Sequence, residues 1–249
     1  MFIPRQLKKE KKIIIFSGAG LDAPSGIQTF RGNDGMWDDH KISEICEEST
    51  WRKNWTQVHN FYNGLRVALP TFEPNGAHHT IKRIIDKYGK ENVFNITMNI
   101  SDMFERIDTE VLHLHGELTK MECVDPKCNH KWEVGYDTFN TESDKCPNCG
   151  NTQTVRPSIV FFGGQAPMYS YLSRALEYLN HEDSILLVIG TTGAVVDVDN
   201  MTRGRSCTKI LVDIDKPVEI NVDKFQHQFY NGSIDGLIDA EKVIYEKWD

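Results

Sequence analysis

Two pairs of cysteines and one pair of histidines carry the chemistry that can be read most directly from this chain. Cys123-x4-Cys128 is followed, after 17 residues, by Cys146-x2-Cys149. Two short chelating loops of this kind can close a tetrahedron of thiolates around zinc, and Gly150 after the second pair can take the positive φ of a knuckle. Four unrelated buried thiols, or a redox pair, are the competing readings; in an intracellular enzyme the pattern favours metal. Four protein ligands leave no open position for water, so this zinc is expected to be structural. His130 is a conceivable substitute ligand for a shell already full. Cys46 and Cys207 have no partner in sequence and are expected to pack. His113-x-His115 has the period of a strand, which puts both imidazoles on one face. Either could act as a general base near neutral pH, with a structural strand pair as the plain alternative.

The third feature is a glycine loop. Ile13-Ile14-Ile15-Phe16-Ser17 reads as a strand, and Gly18-Ala19-Gly20 with Ala23 after it resembles a dinucleotide fingerprint, in which small residues let the backbone approach a pyrophosphate. A plain strand, turn and helix is the alternative. Pro24 interrupts the expected helix, and no second strand ends in an acid at the usual distance. The loop therefore suggests a dinucleotide held in an unusual way.

These residues need elements to position them. Short apolar runs bounded by turn residues recur at Lys12–Ser17, Val93–Thr97, Val111–His115, Ser158–Phe162, Ile185–Gly190 and Lys209–Ile214, with Phe225–Tyr230 a weaker seventh. Runs apolar on both faces and separated by helix-length stretches predict buried parallel strands in a doubly wound α/β sheet. Helical spacing is present over Trp55–Leu69, His78–Tyr88 and Tyr169–Leu179. Residues 117–155 are polar, hold the paired cysteines and have few strand-like runs, so they read as an inserted zinc ribbon. Residues 36–75 read as a helical or lid insert. The two inserts would form a small domain beside a Rossmann-like one made of residues 1–35, 76–116 and 156–249.

Bulk properties narrow the classes. The chain has 249 residues, enough for one large domain and a small insert, with 39% hydrophobic and 26% charged residues. A net charge of −8 argues against a nucleic-acid binder and leaves open a cationic partner such as a lysine-rich segment. The longest apolar run, Ile185 to Ile189, is far too short for a membrane span. The basic start has no apolar stretch of signal-peptide length behind it, so no signal peptide is expected and the expected location is cytoplasmic.

Gly18-Ala-Gly-Leu-Asp-Ala-Pro-Ser-Gly-Ile-Gln-Thr-Phe-Arg-Gly32 closely resembles the signature of the sirtuin family. Further matches follow in that family's order. They are Thr97-Met-Asn-Ile-Ser101 with Glu105-Arg106, Leu114-His-Gly116, the four cysteines, Arg156-Pro-Ser-Ile-Val-Phe-Phe-Gly163, Gly190-Thr-Thr192 and Ile214-Asp215. The resemblance runs from about Lys11 to Leu237, and several motifs in order are far more specific than one.

The resemblance implies an NAD-dependent protein-lysine deacylase, most simply a deacetylase. An acyl-lysine carbonyl oxygen attacks C1′ of the nicotinamide ribose, nicotinamide leaves, and a histidine takes a ribose hydroxyl proton. The acyl group then passes to ribose, giving free lysine and O-acyl-ADP-ribose. On this resemblance His115 is the base and His113 structural. Gly18, Ala19, Gly20, Phe30, Arg31, Met98, Asn99, Ile100, Ser101, Gly190, Thr191, Thr192 and Asp215 face the cofactor, with Asn99 also positioning ribose or water. Val160, Phe162 and Gly163 pair with the substrate backbone by strand addition. An NAD hydrolase or ADP-ribosyltransferase, and a non-catalytic NAD-binding module, are the competing functions.

Four departures from the family pattern stand out, at five residues. Met98 stands for Gln, Ser101 for Asp, Gln28-Thr29 for Pro-Asp before Phe30, and Gly164 for Glu. Serine at 101 accepts only a neutral hydrogen bond, so slow NAD cleavage and weak nicotinamide inhibition are expected. Tyr62 is followed by Leu65 where sirtuins that remove acidic acyl groups carry Arg. Arg66, about 100° further round the helix, points elsewhere, and no desuccinylase is expected.

Overall fold

Ile13-Ile14-Ile15-Phe16 and Ile185-Leu-Leu-Val-Ile189 have no polar face, and in the fold both faces of each are covered. The computed structural model describes residues 10–29 and 42–249. Phe30 and Arg31 lie outside the described residues. The strands are β1 (Ile13–Ser17), β2 (Val93–Thr97), β3 (Leu112–His113), β4 (Gly116–Cys123), β5 (Lys131–Glu133), β6 (Val155–Ile159), β7 (Ile185–Ile189), β8 (Thr208–Val212) and β9 (His227–Phe229). The α-helices are α1 (Ile42–Ile45), α2 (Trp55–Ala68), α3 (Gly76–Tyr88), α4 (Tyr169–Glu177), α5 (Val198–Thr202) and α6 (Gly232–Trp248).

Six strands form one sheet in the order β3-β2-β1-β7-β8-β9, and every neighbouring pair is parallel. The order reverses between β1 and β7, the point at which a doubly wound sheet opens a crevice at its carboxyl edge. Strand alternation splits the core in two. Ile14, Phe16, Phe94, Ile96, Leu186 and Val188 pack against Leu172 and Ala175 of α4 and Val198 and Met201 of α5. Ile13, Ile15, Ile185, Leu187 and Ile189 pack against Ile81 and Ile84 of α3 and Leu237, Ala240 and Ile244 of α6. Helix α3 starts with a capping box: Asn75 Oδ1 accepts from the Ala77 amide, and His78 Nδ1 accepts from the Asn75 amide.

The second sheet is small and antiparallel, in the order β5-β4-β6. It corrects two expectations. The run Ser158–Phe162 is not a strand of the parallel sheet; the strand is Val155–Ile159, paired with β4. Its apolar residues are covered by α2 and its approach, with Ile159 and Phe161 against Trp51, Val58 and Tyr62. Burial by a helix makes the same apolar run as burial in a parallel sheet. The 117–155 segment also holds more strand than its polarity suggested: β4 runs from Gly116 to Cys123 and buries Leu118, Met121, Glu122 and Cys123. Helix α6 was not expected from the sequence.

Pro24 has the effect expected of it. After β1 the chain makes two 3-10 turns, Ala19–Leu21 and Ala23–Ser25, and Gly26 closes the second at φ 92°. Among the described residues, no helix is long and apolar enough to cross a membrane.

Candidate functional site

The glycine loops after β1 and β7 meet at the reversal of strand order. The Gly18 amide donates to the Ile189 carbonyl and the Gly20 amide to the Gly190 carbonyl, each at 2.9 Å. Gly18 and Gly20 therefore lie directly against Gly190, and Gly18 also against Thr191. Gly190 has φ 56°, and a β-carbon on Gly20 would stand 2.6 Å from its Cα, so neither position has room for a side chain. Thr191 is buried and Thr192 exposed; their hydroxyls accept the Gly193 and Ala194 amides. This backbone-lined crevice fits a dinucleotide.

Of the acids at the end of β8, Asp215 is exposed. Asp213 is half-buried and its carboxylate accepts the Ile214 amide at 2.8 Å, with the Thr191 and Asp215 amides placed to favour its charge. Burial raises its pKa against those bonds. Sequence reasoning missed Asp213; its signal was its place just past the carboxyl end of β8, the strand beside β7.

His115 lies in the turn between β3 and β4, not on a strand. Its Nδ1 is 3.1 Å from the Met98 carbonyl, which can only accept, so Nδ1 carries the proton in the neutral ring. Nε2 is then an acceptor, 2.9 Å from the Tyr169 hydroxyl at the start of α4. Burial lowers the His115 pKa and outweighs the carbonyl that raises it. The result is a neutral imidazole with a lone pair on Nε2, the state a general base needs. Met98 contributes its backbone carbonyl, for which the change from Gln is immaterial.

His113 is built differently. Nδ1 is 2.6 Å from the Asn99 carbonyl and Nε2 is 2.9 Å from Glu105 Oε1. Burial opposes the charge, but Glu105 and the carbonyl overcome it and the pKa is raised. With an acceptor on each ring nitrogen, His113 sits in a setting that favours its protonated form, distinct from the ring two residues on. Asn99 donates its side-chain amide to the Gly18 carbonyl at 3.1 Å, tying the 98–101 loop to the glycine loop. Ile100 accepts the Leu118 amide at 2.8 Å and packs on the small-domain core. Ser101 is buried, with Oγ 2.6 Å from Asp22 Oδ2. Asp102 turns away and accepts the Tyr136 hydroxyl at 2.5 Å.

The expected substrate edge is partly occupied. The Val160 amide donates to the His115 carbonyl at 2.9 Å. The Phe162 amide donates to the Cys46 carbonyl and its carbonyl accepts the Glu48 amide, so the backbone of Phe162 is paired with this chain. Both backbone groups of Phe162 are thus engaged by a segment more than a hundred residues earlier in the chain, a pairing that local sequence does not signal. Gly163, at φ 74°, has open space around it and borders a cavity of about 320 Å³ with Glu47, Glu48, Ser49 and Phe162. A β-carbon on Gly164 would sit 3.2 Å from Glu48 Oε2, so a carboxylate occupies the space beside this glycine.

The four paired cysteines converge at the far end of the small domain. Their sulfurs lie within 4.8 Å of one another, with Cys123 to Cys149 and Cys128 to Cys146 each at 3.7 Å. That is far beyond an S–S bond and close to the edge of about 3.8 Å for a tetrahedron of thiolates at a Zn–S distance of about 2.3 Å. The set fits zinc, with all four positions taken by protein. Cys46 is buried with its thiol 3.0 Å from the Tyr62 hydroxyl, and Cys207 is buried in the sheet core.

A model of the Sir2 family matches residues 18–197. An NAD-dependent protein deacylase of Campylobacter jejuni subsp. jejuni serotype O:2 is 38% identical over 239 residues, covering 96% of this chain and 97% of that protein. One of Helicobacter hepaticus is 36% identical, covering 94% of this chain and 97% of that protein. Among solved structures, a mutant Sir2 homologue in complex with ADP-ribose superposes with a TM-score of 0.79 at 25% identity, covering 96% of this chain and 94% of that one. A Sir2 homologue in complex with NAD gives 0.76 at 25% identity, covering 96% and 91%.

Proposed function

Because this chain belongs to the Sir2 family, we propose that it is an NAD-dependent protein-lysine deacylase, acting in the cytoplasm on acyl-lysine segments of proteins, with acetyl the simplest acyl group. The observation that carries the reading is His115: a neutral imidazole whose Nε2 lone pair is set by the Met98 carbonyl, beside the paired glycine loops. NAD is consumed as a co-substrate. Gly18, Ala19, Gly20, Gly190, Thr191 and Thr192 receive its phosphates and ribose, Met98, Asn99, Ile100 and Ser101 its nicotinamide end, and Phe30, Arg31 and Asp215 complete the site. Asp213 supports Thr191 from behind. His115 takes the ribose hydroxyl proton, and Asn99 holds the loop that aims it. Val160 and Gly163 border the acyl-lysine backbone.

A zinc ion held by Cys123, Cys128, Cys146 and Cys149 supplies a cross-link between two loops of the small domain and no reactive position. The test is incubation with NAD and an acetyl-lysine peptide, with products read by mass. O-acetyl-ADP-ribose and nicotinamide in equal amounts are expected. ADP-ribose formed without peptide identifies a hydrolase, and unchanged NAD a binding module.

A further inference from the structure

The position two residues after Asn99 is Ser101, where the family resemblance implies a carboxylate; the structure supplies one from elsewhere in the chain. Asp22, 79 residues earlier, is 3% exposed and Ser101 8% exposed, with 2.6 Å between Oγ and Oδ2. An ionised carboxylate only accepts, so the Ser101 hydroxyl donates its hydrogen to Asp22. The other oxygen, Oδ1, is 3.1 Å from His78 Nε2. The tautomer of His78 is fixed, because its Nδ1 accepts the Asn75 amide at 3.1 Å. The proton is then on Nε2 and points at Asp22. Asn75 also donates to the Leu21 carbonyl and the Ser25 hydroxyl, each at 2.9 Å, so the loop that carries Asp22 is pinned to the start of α3. Both oxygens of Asp22 are thereby oriented, and the Ser101 oxygen keeps lone pairs for a further donor.

We propose that Asp22 and Ser101 together do the work of the single carboxylate of the nicotinamide pocket: Ser101 Oγ accepts an N–H of the nicotinamide carboxamide, and Asp22 is the positioning residue that polarises it. The inference rests on the deacylase reading above. A hydroxyl whose own hydrogen is held by a carboxylate is a stronger acceptor than a free one, and a buried charge is little screened by salt. The pocket keeps its negative charge, moved back by one hydroxyl. This replaces the expectation, drawn from Ser101 alone, that nicotinamide inhibits weakly.

The experiment uses the full chain with NAD, an acetyl-lysine peptide and added nicotinamide. Wild type is compared with Asp22→Asn and with the exchange Asp22→Ser plus Ser101→Asp, and each is checked by thermal melting. Asp22→Asn should slow nicotinamide release and weaken nicotinamide inhibition by about 10- to 100-fold, the loss of one charge-assisted bond, with the peptide KM within about twofold. The exchange returns the carboxylate to position 101 and should restore inhibition to within about threefold of wild type. Unchanged nicotinamide inhibition in Asp22→Asn overturns the proposal. So does a folded exchange variant that remains weakly inhibited, or a rise in peptide KM that parallels the loss of inhibition, since Asp22 would then only anchor the loop. A wild type that releases no nicotinamide overturns the deacylase reading itself, which separates that failure from this one.

Discussion

The backbones of Gly20 and Gly190 are in direct contact, and a β-carbon on either would lie 2.6 Å from the other residue. These residues lie in the loops that follow β1 and β7, the two strands at the reversal point, so their contact fixes how closely the two loops approach. The obstacle is backbone on both sides and cannot turn away as a side chain could. Gly190 adds a φ of 56°, which an L-residue adopts at a cost. Gly190→Ala is expected to lose about 1–3 kcal/mol of stability and to raise the KM for NAD at least about tenfold. Denaturant titration and initial rates measure both; an alanine variant with unaltered NAD affinity would show that the contact does not shape the crevice.

His115 predicts a pH profile. Burial holds its pKa below the ordinary 6.5, so the ring stays neutral through neutral pH. A base must be unprotonated, so activity should be level down to about pH 6.5 and then fall by about tenfold per pH unit below the shifted pKa. An acid limb centred above pH 7 would contradict the neutral, buried ring. His115→Ala should abolish turnover and leave NAD affinity nearly intact, because the imidazole acts on a proton while the glycine loops hold the phosphates.

Much of this was legible in the sequence, for reasons that particular residues show. Ile13–Ser17, Val93–Thr97 and Ile185–Ile189 are apolar on both faces because helices cover both faces of the sheet. The same signal misplaced Ser158–Phe162, since periodicity does not say whether a strand or a helix does the covering. Helix α6 carried a legible stripe, Leu237, Ala240 and Ile244, but many charged residues between. The cysteines were legible because each chelating loop is local. The Asp22–Ser101 pair was not, because 79 residues separate two side chains that only the β1 and β2 loops bring together. At the end of β8 two acids stand two apart, and only the fold shows that Asp213 is half-buried toward the Thr191 loop while Asp215 is exposed.

Zinc should be stoichiometric in the purified protein. Cys146 is 1% exposed and Cys123 2% exposed, so losing the ion leaves thiols buried in the small core with Met121, Phe139 and Val155. Cys146→Ser is expected to release the metal and lower the melting temperature of the small domain, because metal binding and local folding are one equilibrium. Metal analysis that finds no zinc in fresh protein would defeat the assignment.

Arg66 is fully buried on α2, where its guanidinium serves as a cross-brace. Nε donates to the Leu118 carbonyl and Nη1 to Asn63 Oδ1, each at 2.9 Å, and Nη2 to Met121 Sδ at 3.2 Å. Burial brings its pKa down to about 10, still charged at neutral pH. The side chain ties the helix to β4 and cannot read an acidic acyl group. Arg66→Leu is expected to cost about 2–4 kcal/mol, chiefly by orphaning buried acceptors. The ratio of desuccinylation to deacetylation, measured on paired peptides, should not change; a shift in that ratio would place Arg66 in the acyl pocket after all.

The small domain should also weaken in mild acid through His59. This ring is buried, donates from Nε2 to the Val155 carbonyl at 3.0 Å, and stacks on Phe139. Its Nδ1 is buried with no hydrogen-bond partner, so a proton there would be charged and unsolvated. Burial, and secondarily the Arg66 charge, bring the pKa from 6.5 to about 4, against the carbonyl that raises it. Above pH 6.5 the ring is neutral whether folded or unfolded and contributes no pH dependence. As pH falls through 6.5 the unfolded chain takes up a proton that the folded chain refuses until about 4, so stability falls across that window. The loss approaches roughly 3 kcal/mol in total, or about 1.4 kcal/mol per pH unit. Other groups titrate there too: buried His115 adds to the loss and paired His113 opposes it, so the comparison must be between variants. His59→Gln keeps a donor for the Val155 carbonyl and removes the titration. Urea unfolding of both proteins between pH 5 and 6.5 should give converging stabilities as wild type loses more than the variant; parallel lines would mean that His59 gains its proton with the same ease folded and unfolded.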